Sequence, residues 1–108
     1  MRNYIDEIDE YFIKEFLTGY FTAFASGWKT SVVIGKKENM WTAVCIMGTN
    51  SIYKLTFNFT SFSAEIKETY APNLKAIWAM AMYKKFGNEY VKDLEKSYNV
   101  ERSIFDKN

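Results

Sequence analysis

The stretch "YKLTFNFTSFSAEIK", residues 53–67, decides the fold, because its apolar and polar residues alternate. Successive side chains of a β-strand point to opposite faces, so a period of two indicates a strand with one buried face. The first segment has four apolar side chains on one face and four polar side chains on the other: Tyr53, Leu55, Phe57 and Phe59 against Lys54, Thr56, Asn58 and Thr60. The alternation resumes at Phe62, so we expect neighbouring antiparallel strands at 51–59 and 62–69.

Two further strands are predicted upstream. Residues 29–35 are rich in β-branched side chains, and residues 40–47 follow after a short "GKKEN" turn. Short turns between successive strands predict an antiparallel meander. Both faces of segment 40–47 are apolar except at Thr42, so we expect part of its outer face to be covered.

The N-terminal segment has the spacing of an amphipathic helix. Ile5, Ile8, Phe12 and Phe16 recur every three or four residues, and Asn3 is a plausible N-cap. Four charged residues fall on the opposite face: Asp6, Glu7, Glu10 and Lys14. We expect the helix to end between residues 19 and 27, and the aromatic spacing does not decide whether residues 20–25 are helix or strand.

Residues 73–87, "NLKAIWAMAMYKKFG", predict a second helix with two apolar stripes. One stripe comprises Leu74, Ile77, Trp78 and Ala81, and the other comprises Ala76, Ala79, Met80 and Tyr83. A last helix is expected from Asn88, with a narrow stripe at Tyr90, Val91, Leu94 and Tyr98. The last helix either folds back and closes the second stripe into the core, which we favour, or leaves that stripe open to a partner.

Together these segments predict a single globular α+β domain over residues 1–108. It has an N-terminal helix, an antiparallel meander of three to five strands, and two C-terminal helices packed on the sheet. The chain is 48% hydrophobic, which is sufficient for a core at this length, and its formal net charge is +1. The acidic N-terminus does not resemble a secretory signal, and no apolar run is long enough for a membrane span. We expect a cytoplasmic protein that does not bind membranes.

The residue types exclude most catalytic chemistry. The chain has no histidine and one cysteine, Cys45, which lies among apolar residues in a predicted strand. A buried structural thiol is the simpler interpretation of Cys45 than a nucleophile. No nucleophile elbow, dinucleotide fingerprint or P-loop is present. The acids of "DEIDE", residues 6–10, offer a cation site or an acid/base pair, but a solvated helix start explains them more simply. We expect a non-enzyme without cofactor or metal.

Nucleic acid is an alternative partner, because the order helix, strands, helix resembles the double-stranded RNA-binding domain. In that family a lysine cluster at the start of the final helix holds phosphates, whereas "APNLKAIWAM" supplies only Lys75. The basic pairs at 36–37 and 84–85 are typical of solvated turns and helix ends. We therefore do not expect nucleic acid as the partner, because phosphate affinity requires several cationic contacts acting together.

A resemblance to known families favours a protein partner. The acidic N-terminal helix, the segment "GWKTSVVIG" at 27–35, the meander and the helices resemble the small immunity proteins of bacterial contact-dependent growth inhibition systems. The chain is also similar to phage-encoded inhibitors of host defence, such as anti-CRISPR proteins. Either resemblance implies a stoichiometric inhibitor that masks the active site of a partner, commonly a nuclease. The partner is then a toxin or a host defence protein; the oligomeric state is left open.

The candidate partner-binding residues are charged side chains of two segments: Asp6, Glu7, Asp9 and Glu10 in the first helix, and Lys36, Lys37 and Glu38 in the first hairpin turn. Acidic side chains imitate phosphate and steer association with a basic cleft. Asp9 lies close to the apolar stripe of its helix, so it either borders the core or reaches for a positive partner. We expect fold stability not to need Asp6, Glu7 and Glu10.

Overall fold

A computed structural model describes residues 2–24, 30–47 and 53–105 and confirms the α+β architecture. A 3-10 helical turn at Tyr4–Glu7 comes first. The remaining elements follow in chain order: α1 (Glu10–Phe24), β1 (Thr30–Lys37), β2 (Met40–Met47), β3 (Tyr53–Phe59), β4 (Ala64–Ile66), α2 (Pro72–Phe86) and α3 (Asn88–Phe105). No helix of the described ranges combines the length and the hydropathy needed to cross a membrane.

The four strands form one antiparallel sheet in the order β1-β2-β3-β4, which is the predicted meander. Strand β2 matches its predicted bounds, and β1 extends two residues past the prediction, to Lys37. Strand β4 is shorter than predicted: three residues pair with β3, and an isolated bridge joins Ile66 to Thr69. Residues 25–29 and 51–52 of the predicted elements lie outside the described ranges.

The N-terminal helix does not begin where the sequence predicted. Ile8 is extended, with φ −107° and ψ 166°, and separates the 3-10 turn from α1. The cause is Asp9, whose Oδ1 accepts a hydrogen bond of 2.9 Å from the backbone N–H of Phe12 and thereby caps α1. Asn3 caps nothing, because its side chain donates to Asp6 instead. Helix α1 runs to Phe24, so residues 20–24 are helical, within the predicted limits.

One face of the sheet and the helices enclose an aromatic core. Trp78 of α2 is fully buried and contacts the rings of Phe12, Phe16 and Phe59. Its Nε1–H donates to the backbone carbonyl of Thr60 over 3.0 Å, so the one polar atom of the indole is satisfied. The largest fully buried side chains come from every layer: Trp78, Tyr4, Tyr90, Phe57, Phe59, Ile5, Ile13, Leu74, Met82 and Cys45.

The other face of the sheet is partly exposed. Val33 pairs with Val44 in the sheet register, and the next strand adds Thr56 opposite Val44. Val33 is 68% exposed and Ile46 is 37% exposed. Met40 and Val44 are half-buried on the same face, so the outer face of β2 is covered in part, as expected, and is exposed at Ile46.

Candidate partner-binding surfaces

The structure brings the two charged segments of the sequence together. Lys36, at the end of β1, places Nζ 2.6 Å from Oδ1 of Asp6 in the 3-10 turn. The same Nζ donates to the backbone carbonyl of Glu38 over 2.9 Å, which fixes the lysine at the hairpin turn. The ion pair thus brings the 3-10 turn and the first hairpin turn into contact.

Arg2 pairs with Glu7 and was missed by the sequence reasoning. Its guanidinium donates two hydrogen bonds to the Glu7 carboxylate and one of 2.7 Å to Glu89 of α3. Hydrogen bonding from Arg2 lowers the pKa of Glu7 below its usual value. Asp6 thus closes an exposed ion pair between the 3-10 turn and β1, and Glu7 closes one with Arg2, just upstream of the turn. That fold stability does not need Asp6 and Glu7 stays a prediction, because exposed ion pairs contribute little to stability.

The remaining charged candidates are free to meet a partner. Glu10, Lys37 and Glu38 are exposed, and none takes part in an ion pair with another described residue. Asp9 is exposed as well but serves as the α1 cap, so it neither borders the core nor reaches for a positive partner within the described chain. We name the whole set the acidic surface, five carboxylates and three cations: Asp6, Glu7, Asp9, Glu10 and Glu38, with Arg2, Lys36 and Lys37.

A buried tyrosine anchors the acidic surface to the helices. Tyr4 is fully buried, and its ring meets Phe62, Phe86 and Tyr90 edge-on at centroid distances of 5.9, 4.9 and 5.1 Å. Its hydroxyl donates to Asp93 of α3. Burial, together with this bond, raises the pKa of Tyr4 to about 12. The charged 3-10 turn is therefore held rigidly on the domain, which suits a preformed docking surface.

Ser61 fixes the turn from the other side, and no sequence signal pointed to it. Its Oγ accepts the backbone N–H of Ile5 at 3.1 Å, and its backbone carbonyl accepts the Tyr90 hydroxyl at 2.7 Å. The indole of Trp41 donates to the carbonyl of Ile5 over 3.2 Å. These partners lie far apart in the chain, so only the folded structure reveals them.

A groove of about 1010 Å³ forms a second candidate surface, between α2, α3 and the β3–β4 connection at residues 60–63. Ala76, Ala79 and Leu94 provide apolar lining, while Lys75 and Glu95 belong to opposite banks. Leu94 and Tyr98 lie well beyond Gly87, so α3 turns back beside α2 after this glycine, whose φ is 79°. Left-handed backbone of this kind is accessible to glycine without strain.

The second apolar stripe of α2 is not closed into the core as we favoured. Ala76 is exposed, and Met80 and Tyr83 are 62% and 45% exposed. Only Ala79 is half-buried and packs against the core. The stripe expected on the sheet also differs, because Met82 is buried there while Ile77 and Ala81 are only half-buried. Helix α3 turns back beside α2 but leaves three of the four stripe positions open.

The structure places Cys45 in the core. The thiol is buried in the middle of β2, and burial raises its pKa to about 11, which leaves it protonated and unreactive at neutral pH. Within residues 2–24, 30–47 and 53–105, no group of three or more carboxylate, thiol or imidazole side chains is arranged to hold a metal ion. Comparison with protein families, with curated proteins and with solved structures found no match.

Proposed function

We propose that this protein is a non-enzymatic inhibitor that binds and neutralises a bacterial toxin, in the manner of an immunity protein. The observation that carries the proposal is the Lys36–Asp6 ion pair, which joins the N-terminal turn and the first hairpin into one acidic surface. That surface holds five carboxylates and three cations, and the charge of Lys85 also reaches Glu7, so the carboxylates remain in slight excess although the chain as a whole has a net charge of +1. A local excess of negative charge of this kind fits a basic cleft such as that of a nuclease.

The rigidity of the acidic surface supports the same function. Tyr4, Ser61 and Trp41 tie the 3-10 turn to three other elements, so little chain entropy is lost when a partner docks on it. Glu10 and Glu38 are exposed and have no ion pair among the described residues. They are therefore available for contacts that change association without changing the fold.

The test begins with the product of the adjacent gene. Titrating that protein's toxic activity, in cells and with the purified proteins, should show complete neutralisation at a one-to-one ratio. A phage gene neighbourhood would instead assign the same surface to a host defence protein, and inhibition of that protein would then be assayed. If neither kind of neighbour is inhibited, the proposed function is wrong.

A double charge-reversal variant tests whether the partner docks on the acidic surface. Glu10→Lys with Glu38→Lys should slow association with the partner about tenfold or more at low salt, and the difference should shrink as salt rises. Glu15→Lys with Glu65→Lys is the matched control, because it changes the net charge equally at two other exposed positions. Equal association rates for the two double variants would show that the partner docks elsewhere.

A further inference from the structure

Large apolar side chains are exposed in the groove between α2 and α3 and on α2 beside it. Tyr98 of α3 lines the groove and is 56% exposed, whereas Met80 and Tyr83 of α2, outside the lining, are 62% and 45% exposed. Methionine and tyrosine are enriched at protein interfaces, where they provide adaptable or amphipathic contact area. Ala76 and Ala79 line the groove and are small, so it has room for side chains that enter from outside.

The charges of the groove are complementary to each other across its width. Lys75 lies on the α2 bank and Glu95 on the α3 bank, and both are exposed. Neither takes part in an ion pair with another described residue. Arg2 also lines the groove, but its guanidinium is held by Glu7 and Glu89. Lys75 and Glu95 are therefore the lining charges left for a second copy, and their pattern is self-complementary because a two-fold rotation exchanges the two banks.

We propose that the groove is the interface of a homodimer of this chain. With the two-fold axis along the groove, α2 of each copy lies over α3 of the other. Lys75 of each copy then meets Glu95 of its partner copy, so this ion pair forms twice. Tyr98 of each copy enters the space beside Ala76 and Ala79 of the other. A second copy satisfies charge and apolar exposure at once, which a uniformly acidic or basic partner does not.

The dimer is independent of the proposed toxin-binding role. The acidic surface and the groove share Arg2, but the experiments on the two surfaces use different residues. A variant that no longer dimerises can therefore still be tested for toxin binding, and a variant that no longer binds the toxin can still be tested for dimerisation.

The first measurement is the molar mass of the purified full chain by sedimentation and light scattering, over a concentration series from low micromolar to several hundred micromolar. We expect a reversible monomer–dimer equilibrium. Lys75→Glu and Glu95→Lys should each weaken the dimer about tenfold or more, because each variant places like charges together twice. Circular dichroism and thermal unfolding establish that each variant is folded.

The decisive experiment mixes the two variants. In the mixed dimer, the substituted position of Lys75→Glu faces the substituted position of Glu95→Lys, so their charges attract again. The unchanged Glu95 of the first chain also pairs with the unchanged Lys75 of the second. The mixture should therefore form a heterodimer about as strong as the wild-type dimer. The doubly substituted chain should dimerise similarly. Lys14→Glu and Glu15→Lys on exposed positions of α1 form the matched control pair and should leave the dimer unchanged.

Three results would overturn the proposal. The wild-type chain could remain monomeric throughout the series. A dimer could form that neither single variant weakens, which would move the interface elsewhere, for instance to the open sheet face. Finally, both single variants could weaken the dimer without recovery on mixing. Where a dimer forms, Ala76→Arg adds a bulky charge at an exposed groove position and should weaken it; a dimer that Ala76→Arg leaves unchanged also contradicts the groove interface.

Discussion

Replacing Tyr4 by phenylalanine removes one hydroxyl group from the anchor of the N-terminal turn. The ring of Tyr4 is fully buried against Phe62, Phe86 and Tyr90, and phenylalanine retains these contacts. The hydroxyl donates to the carboxylate of Asp93, which is half-buried on α3. The substitution therefore isolates one charge-assisted hydrogen bond between the chain's first element and its last helix.

The expected cost is about 1.5 kcal/mol. Hydrogen bonds to charged groups contribute about 1.5–3 kcal/mol net, and the lower end applies because solvent reaches Asp93 and hydrates it once the hydroxyl is gone. For a domain of this size, that cost lowers the unfolding midpoint by about 6–12 °C. Tyr4→Ala, which also empties the ring's position in the core, should cost about 3–5 kcal/mol.

Urea unfolding of wild type, Tyr4→Phe, Asp93→Asn and the double variant measures the bond by a double-mutant cycle. The two single changes should not add, because either one removes most of the same interaction. Because burial raises the pKa of Tyr4 to about 12, the hydroxyl also makes a pH-dependent contribution to the free energy of unfolding, which Tyr4→Phe should remove. This contribution is complete below the ordinary tyrosine pKa of 10.0 and is lost as pH rises through the pKa of the folded state. A Tyr4→Phe cost under about 0.5 kcal/mol, with additive single changes, would refute this account.

Three further substitutions test other local arguments. Asp9→Ala removes the α1 cap and should cost about 1 kcal/mol in urea unfolding, and a cost no larger than that of Glu15→Ala would contradict the capping role. Glu38→Gly should stabilise the hairpin by about 0.5–1 kcal/mol, because Glu38 has φ 57° at the first position of a two-residue turn; a loss of stability would argue against strain there. Glu68→Gln should reduce stability at neutral pH. The Thr56 backbone N–H holds the pKa of Glu68 below its ordinary 4.5, so the difference from wild type should shrink as pH falls below that value and the carboxylate protonates. A difference that does not vary with pH would refute this.

Much of the fold could be predicted from the spacing of apolar residues along the sequence. Residues 53–59 alternate without interruption in the sequence, and the side chains that are fully buried in residues 54–59 are the apolar Phe57 and Phe59. Gly87 separates α2 from α3 where the sequence placed the break. Periodicity predicts these elements because each buries a single face, and a single face leaves a regular imprint on the sequence.

Local side-chain chemistry explains where the sequence prediction was wrong. Ile5, Ile8 and Phe12 have helical spacing, but the carboxylate of Asp9 captures a backbone N–H and restarts the helix at Glu10. Helical periodicity cannot reveal this break, because Ile5 and Ile8 before it and Phe12 after it all pack in the core. For the second stripe of α2, the sequence predicted which residues form the stripe but not whether α3 covers them. The position of α3 beside the stripe depends on packing across the whole domain.

The candidate binding surface was likewise predictable only in part. Composition identified the acidic residues and the lysines of the hairpin turn, but their meeting depends on the Lys36–Asp6 contact and on Arg2, whose role the sequence did not suggest. Arg2 pairs with Glu7 and Glu89, lies over the rings of Tyr4 and Phe86, and lines the groove. Replacing Arg2 would therefore disturb both proposed surfaces together. Charge changes at the unpaired positions test the proposed toxin binding separately from the proposed dimerisation, because the exposed ion pairs that Arg2 makes remain intact in every variant used.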